Sequence, residues 1–262
     1  MKVNIERYNS IKQLLDTIET RPVNKVFQCC SDLSSESKNS AFRGTKDYNE
    51  ARELFLYGYT PAVEVLKNIK VSAPTTNSRI SFSDVIGYAP HVSNYIQGIP
   101  QSMINSKKVL QKTRTIELYY NVAAACTATT GAITEAGKRL LQAIKTLELN
   151  GVRIQLNSIM FATSSDKKLS EISILILKLK DYSKKIDVSK ISFPLVHPSA
   201  PRRIGCKWVE TLPVLKSKRY KDGYGWTISS ITLKKLLNKN TVISYDDING
   251  KTSEDIIKMI TK

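Results

Sequence analysis

Residues 115–156 run Thr115-Ile116-Glu117-Leu118-Tyr119-Tyr120-Asn121, then small residues from Ala123 to Gly131, then a long stretch to Leu149, then Asn150-Gly151-Val152-Arg153-Ile154-Gln155-Leu156. Ile116, Leu118 and Tyr120 alternate with more polar neighbours, the period of a half-covered strand. Ile133, Ala136, Gly137, Leu140, Leu141, Ile144 and Leu147 recur at three- and four-residue steps, which places them on one face of a helix spanning about 132–149. Thr130 is the expected N-cap, and Asn150-Gly151 supplies a left-handed stop. Val152, Ile154 and Leu156 then alternate again. Strand, loop, helix and strand in this order form the repeating unit of a parallel sheet.

Towards the C-terminus, Ile172 to Leu179 is apolar at almost every position, as expected of a strand covered on both faces. Asp187 is placed to cap a short helix through Ile191 and Phe193. The segment Pro194 to Trp226, rich in Pro, Gly, Lys and Arg, reads as a long irregular excursion. A helix at 229–237, a strand at 241–245 and a helix at 253–260 complete the chain.

Towards the N-terminus, Ser10 and Gln13 have capping-box spacing ahead of Ile11, Leu14, Leu15 and Ile18, and Arg21-Pro22 ends that helix. A strand is expected over Val23–Cys30 and a polar loop over Ser31–Ser40. Helices are expected from Asp47 to Tyr57, closed by Gly58, and from Thr60-Pro61 onward, with Ala62, Val65, Leu66 and Ile69 inward. Short strands are expected near Ile80–Phe82 and Val85–Tyr88. Residues 87–105, punctuated by Gly87, Pro90, Gly98 and Pro100, read as ordered loop anchored by Tyr88, Tyr95, Ile96, Ile99 and Met103. The fold expected is α/β: a mostly parallel, Rossmann-like sheet flanked by helices, with an N-terminal helical extension. Residues 1–106 are expected to form an N-terminal α/β extension packed on a basic α/β core domain at 107–262, with one continuous domain as the alternative.

Forty Lys and Arg face twenty-three Asp and Glu, a net charge of +17. The excess is uneven. Residues 1–106 hold 12 cations and 10 anions, and residues 107–262 hold 28 and 13. Such an excess attracts polyanions, although lysine-rich codon usage produces the same count with no partner implied. The 196–226 segment concentrates Arg202, Arg203, Lys207, Lys216, Lys218, Arg219 and Lys221 among Trp208, Tyr220, Tyr224 and Trp226. Cations beside aromatic faces suit single-stranded nucleic acid, with Arg202, Arg203, Lys218 and Arg219 expected on phosphates and Trp208 and Tyr220 stacking on bases. Lys207 and Lys216 extend that set, and Lys107 with Lys108 begins a second basic cluster that includes Lys112 and Arg114.

Other chemistries find less support. No Gly-x-x-x-x-Gly-Lys-Ser/Thr or Gly-x-Gly-x-x-Gly occurs. Four cysteines (29, 30, 126, 206) and two histidines (His91, His197) lack the paired spacing of a zinc site, so neither metal nor cofactor is expected. Cys126, at the start of the 132–149 helix, has no spacing that ties it to a histidine base. Asp246-Asp247, after the last strand, would be the ligands if the chain were a metal-dependent enzyme acting on polynucleotides, but before Ile248-Asn249-Gly250 they read as a turn. No membrane-length apolar run and no secretory h-region occur, so a cytoplasmic location without membrane partners is expected.

Several motifs together resemble an uncharacterised family of tailed phages and prophages: Phe42-Arg43-Gly44-Thr45, Val85-Ile86-Gly87-Tyr88-Ala89-Pro90, Tyr95-x-x-Gly98-x-Pro100-x-x-Met103, and His197-Pro198-x-x-x-Arg202-Arg203. The resemblance implies a host-cell cytoplasmic or virion-borne protein with phage or host proteins as partners, and no particular activity. The 115–180 order is also similar to a von Willebrand factor A core. That family's Asp-x-Ser-x-Ser metal loop is here Asn121-Val122-Ala123-Ala124-Ala125-Cys126, which implies a degenerate site without metal, since hard cations need oxygen ligands. The function expected is non-enzymatic binding of nucleic acid or another polyanion. The alternatives are a protein–protein assembly module and the polynucleotide-processing enzyme above.

Overall fold

A computed structural model describes residues 2–23, 43–67, 79–108, 114–124, 128–164, 171–212 and 226–261. The expected unit is present. Strand β5 (Thr115–Asn121) leads through helix α5 (Thr130–Leu149) to strand β6 (Arg153–Ser164), and β5 and β6 pair in parallel with Leu118 opposite Leu156. The cap lies one residue earlier than the sequence suggests: Thr129 caps the helix by accepting from the Ala132 N–H. Every apolar position named above for this helix is buried, and Ala143 joins them. Each fully buried leucine or isoleucine on that stripe is worth about 1.5–3 kcal/mol.

The main sheet has the order β1-β7-β6-β5-β9, where β1 is Lys2–Tyr8, β7 is Glu171–Lys180 and β9 is Val242–Ser244; the short β8 (Trp226–Thr227) pairs with the end of β6. The pairs β1–β7, β5–β6 and β5–β9 are parallel. The sheet is mostly parallel, as expected, and the exceptions are β7 and the short β8, which run antiparallel to β6. Only six residues (165–170) join β6 to β7, and a parallel crossover needs about a dozen. Strand β7 is nonetheless covered on both faces, as its composition requires. Leu175 and Leu177 enter one apolar cluster, while Ile172, Ile174 and Ile176 enter another.

Two helical layers cover the sheet. On one face lie α1 (Ile11–Thr20), α2 (Tyr48–Tyr57), α3 (Thr60–Lys67), α5, α6 (Val188–Val196), a π-helical turn (Ala200–Gly205) and α7 (Cys206–Glu210). On the other face, Leu233 and Leu237 of α8 (Ser230–Leu237) pack on Tyr119, Ile159, Ile174 and Val242. The caps at Ser10 and Asp187 form as the sequence suggests, Asp47 caps α2 rather than opening it, and Gly58 ends α2 at φ 94°. Two short helices near the C-terminus, α9 (Tyr245–Ile248) and α10 (Ser253–Thr261), pack Ile248, Ile256 and Ile260 against α5 and its neighbours. No helix among the described residues is long and apolar enough to cross a membrane.

The N-terminal region differs from a helical extension. It opens with β1, an edge strand of the main sheet, and Tyr8, Leu14, Leu15 and Ile18 share a cluster with Trp208 and Val209 of α7. The boundary expected at 106/107 falls inside a strand of a second sheet. That sheet is antiparallel, of order β2-β4-β3, from β2 (Arg79–Asp84), β3 (Ala89–Pro90) and β4 (Met103–Lys108), with a short helix α4 (Val92–Ile96) between β3 and β4. The strand expected over Val85–Tyr88 is thus the two residues after it. The Val23–Cys30 strand, the Ser31–Ser40 loop, Ile69 and Cys126 lie largely or wholly outside the described residues.

Candidate anion-binding cleft

Strands β1 and β7 are parallel neighbours, so both end at the same edge of the sheet. Crevices outside the carboxyl ends of parallel strands are where α/β folds hold ligands. Beyond Tyr8 the chain turns through Asn9 and Ser10 into α1. Beyond Lys180 it turns through Asp181–Ile186 into α6, capped by Asp187. A cleft of about 580 Å³ opens between these two exits.

Six lysines line it, Lys12, Lys178, Lys180, Lys184, Lys185 and Lys190, against two carboxylates, Asp181 and Asp187. Each carboxylate already holds one lysine: Lys178 lies 3.6 Å from Asp181 and Lys190 lies 3.4 Å from Asp187. The Ser183 backbone N–H, seconded by Lys178, holds the Asp181 carboxyl below its ordinary range. Lys180 is committed inward. Its side chain is buried, and its ammonium group donates to the Ile154 carbonyl at 2.8 Å and pairs with Glu148 at 2.5 Å. A bulge produces this aim, because Asn157 faces Lys178 while Leu156 faces Lys180, so Leu179 is the extra residue.

Lys12, Lys184 and Lys185 remain. All three are exposed, and no carboxylate among the described residues pairs with them. At the same edge, the Ser10 hydroxyl takes the Gln13 N–H at 3.2 Å, which leaves the amides of Ile11 and Lys12 at the positive end of α1. The cleft therefore presents exposed ammonium groups, unpaired among the described residues, beside a helix N-terminus, an arrangement that favours a phosphate or carboxylate group.

The residues singled out from sequence lie elsewhere. Arg203 does not face solvent. It is fully buried in the π-helical turn and its Nη2 donates to the carbonyls of Thr45 at 2.8 Å and Lys46 at 2.7 Å. Trp208 cannot stack on a base, because it is fully buried and its Nε1–H donates to Glu6 at 2.8 Å. Burial disfavours the Glu6 carboxylate, but hydrogen bonds from Arg21, Tyr8 and Trp208 outweigh it and hold Glu6 below the usual carboxylate range. Residues 194–212 are thus not an irregular excursion but a packed helical segment that uses these two side chains as internal ties. Arg202 is partly buried, and Lys207 sits 5.5 Å above the Tyr48 ring. Lys107 and Lys108 are strand positions of β4, opposite Ile80 and Arg79. Lys216, Lys218, Arg219 and Tyr220 lie outside the described residues.

Asp247 is occupied by a structural duty. Its Oδ2 accepts from the Ser244 N–H at 2.8 Å and from the Ser244 hydroxyl at 2.7 Å, closing a capping box on α9. No group of three or more His, Cys, Asp or Glu suited to a metal ion occurs among the described residues.

The lysines of the cleft carried a signal in the sequence. Five of them fall within 178–190, across the end of a strongly apolar strand and the turn that follows it.

Comparison with curated proteins finds no match, and comparison with solved structures finds none. A family model described as a domain of unknown function, DUF7192, matches residues 2–262. An α/β chain matched over almost its full length in this way belongs to the DUF7192 family.

Proposed function

We propose that the protein is a non-enzymatic binder of a phosphate-bearing polyanion, nucleic acid in the first instance, and that the lysine cleft at the ends of β1 and β7 is its contact site. The observation that carries this reading is the set Lys12, Lys184 and Lys185, exposed beside the N-terminus of α1 without carboxylate partners among the described residues. The overall charge of +17 adds long-range attraction, which raises the encounter rate with any polyanion. Of the residues first expected on phosphates, Arg203 is withdrawn by its burial, and Trp208 is withdrawn as a stacking platform.

The test is the salt dependence of binding to a fluorescent single-stranded oligonucleotide. Each neutralised phosphate contributes about 0.7 to the slope of log K against log salt for a single strand. The variant carrying Lys12→Gln, Lys184→Gln and Lys185→Gln is expected to bind more weakly and to lower that slope by roughly 2. An unchanged slope would place the contacts elsewhere, and salt-independent binding by the unaltered protein would remove phosphate neutralisation as its basis.

A further inference from the structure

Residues 85–106 contain no Lys, Arg, Asp or Glu, in a chain that is 24% charged. They comprise the turn after β2, strand β3, the helix α4 and the first four residues of β4. Val85, Ile86, Tyr88, Val92, Tyr95 and Ile96 are each 62–78% exposed. These are six of the eleven exposed large hydrophobic residues among those described, gathered within twelve positions. Val92, Tyr95 and Ile96 stand at i, i+3 and i+4, so the apolar face of α4 points to solvent rather than to a core. The sequence assigned Tyr88, Tyr95 and Ile96 to anchoring, and the structure turns them outward.

The arm is held by its own hydrogen bonds. The Tyr88 N–H donates to Ile104 at 3.0 Å, the His91 N–H to Ser102 at 2.7 Å, Asn94 Nδ2 to Gln101 at 2.9 Å and Asn105 Nδ2 to Ile86 at 3.0 Å. Gly87 lies so close to the Ile104 carbonyl that a Cβ there would collide with it. The apolar side chains are therefore displayed on a fixed backbone.

We propose that this arm is where two copies of the chain meet in a twofold dimer. At ordinary side-chain areas the six exposed residues offer roughly 500–600 Å² per copy. That is the upper end of what a monomer leaves exposed, and a twofold axis doubles it to about the 1,000 Å² a specific interface needs. A twofold contact sets one patch against itself, so it requires a surface that does not repel its own copy. On a protein of net charge +17 the 85–106 stretch meets that requirement, because it carries no charged side chain to set against its own copy, the charges of this sheet (Arg79, Asp84, Lys107 and Lys108) standing on either side of it in the sequence.

The experiment is sedimentation velocity on the full chain after nuclease treatment. A species of twice the 29.4 kDa chain mass is expected at micromolar concentration. It should strengthen as salt rises, because screening removes the repulsion between the copies and leaves apolar burial intact. Ile86→Glu together with Tyr95→Glu should abolish it, with Kd raised at least ~100-fold. Ile231→Glu, on the exposed face of α8, should leave it unchanged. A monomer at all concentrations would overturn the proposal, as would a dimer that survives the double substitution. Capture of the monomer on phosphatidylserine vesicles, lost in the same double variant, would overturn it by assigning the arm to a lipid surface.

Discussion

Arg203→Ala separates two roles for one side chain. A cation on the surface, neutralising a phosphate, can be truncated with little effect on stability, typically within ~0.5 kcal/mol. A cation used as an internal tie cannot. Arg203 is fully buried, and its Nη2 makes two charge-assisted bonds to the Thr45 and Lys46 carbonyls, at 2.8 and 2.7 Å. These carbonyls lie just ahead of the Asp47 cap, so the bonds fasten the entry of α2 to the π-helical turn. Bonds of this kind contribute about 1.5–3 kcal/mol each, and truncation leaves the acceptors without their donor. Allowing for water at the less buried Lys46 carbonyl, the loss should be about 3–5 kcal/mol, a large share of the ~5–15 kcal/mol that stabilises a typical domain. The midpoint temperature should fall by on the order of 10 °C. Lys207→Ala, four residues away, should cost only about 0.5–1 kcal/mol through its contact with the Tyr48 ring. Urea unfolding followed by circular dichroism, without polyanion, measures both. If Arg203→Ala unfolds with the unaltered protein while its oligonucleotide affinity collapses, the side chain faces solvent and the reasoning is wrong.

His197 stacks on Phe193 at 5.0 Å and meets the Tyr59 ring edge-on, and burial pushes its pKa down to about 4. The unfolded chain therefore takes up the proton first: the stability is complete above about pH 6.5 and drains away as pH falls toward 4. Unfolding free energy should drop by about 1.5 kcal/mol between pH 6.5 and 5, and His197→Gln should flatten that interval; an equally steep fall in the variant would assign it to other groups. Gly137 lets α5 approach α6: a Cβ would lie 2.5 Å from Val196 Cγ1 and 3.1 Å from the Leu195 carbonyl. Gly137→Ala should therefore cost about 1–2 kcal/mol despite alanine's better helix propensity, and Val196→Ala should relieve the clash; a rise in melting temperature from Gly137→Ala alone would refute the contact.

The parts of the fold that were legible are those where local chemistry and tertiary packing agree. The 115–156 unit announced itself because one alternating strand, one helical stripe and one Asn-Gly stop are adjacent. Caps at Ser10 and Asp187 could be read because each satisfies amides of its own helix. Strand β1 was missed because Lys2, Asn4 and Glu6 dilute the apolar signal of Val3 and Ile5, as expected at a sheet edge with few buried positions. The direction of β7 was not legible, because the alternation that marked the preceding strand ends at Leu156, leaving fifteen residues before Ile172, enough for a crossover, whereas β6 runs on to Ser164. The site was less legible than the fold. Composition counts cations without saying which are turned inward, so Arg203 and Lys218 carried equal weight, while the lysines after β7 drew no attention because only Tyr182 is interleaved with them, against four aromatic residues in 196–226. The exposed arm shows the same ambiguity for apolar residues: Tyr95 and Ile96 look like anchors until their helix is seen facing outward.

The pairing of β1 with β7 sets a schedule for biosynthesis. Lys2 finds its register opposite Glu171, so a segment made first must wait for one made about 170 residues later. At roughly 5–20 residues per second on the ribosome, that wait is on the order of 10–30 s. Throughout it Leu14, Leu15 and Ile18 lack the strand and the tryptophan that eventually cover them. Such long-range closure slows folding and prolongs the exposure of sticky intermediates. The nascent chain should therefore depend on chaperone shelter until β7 has emerged.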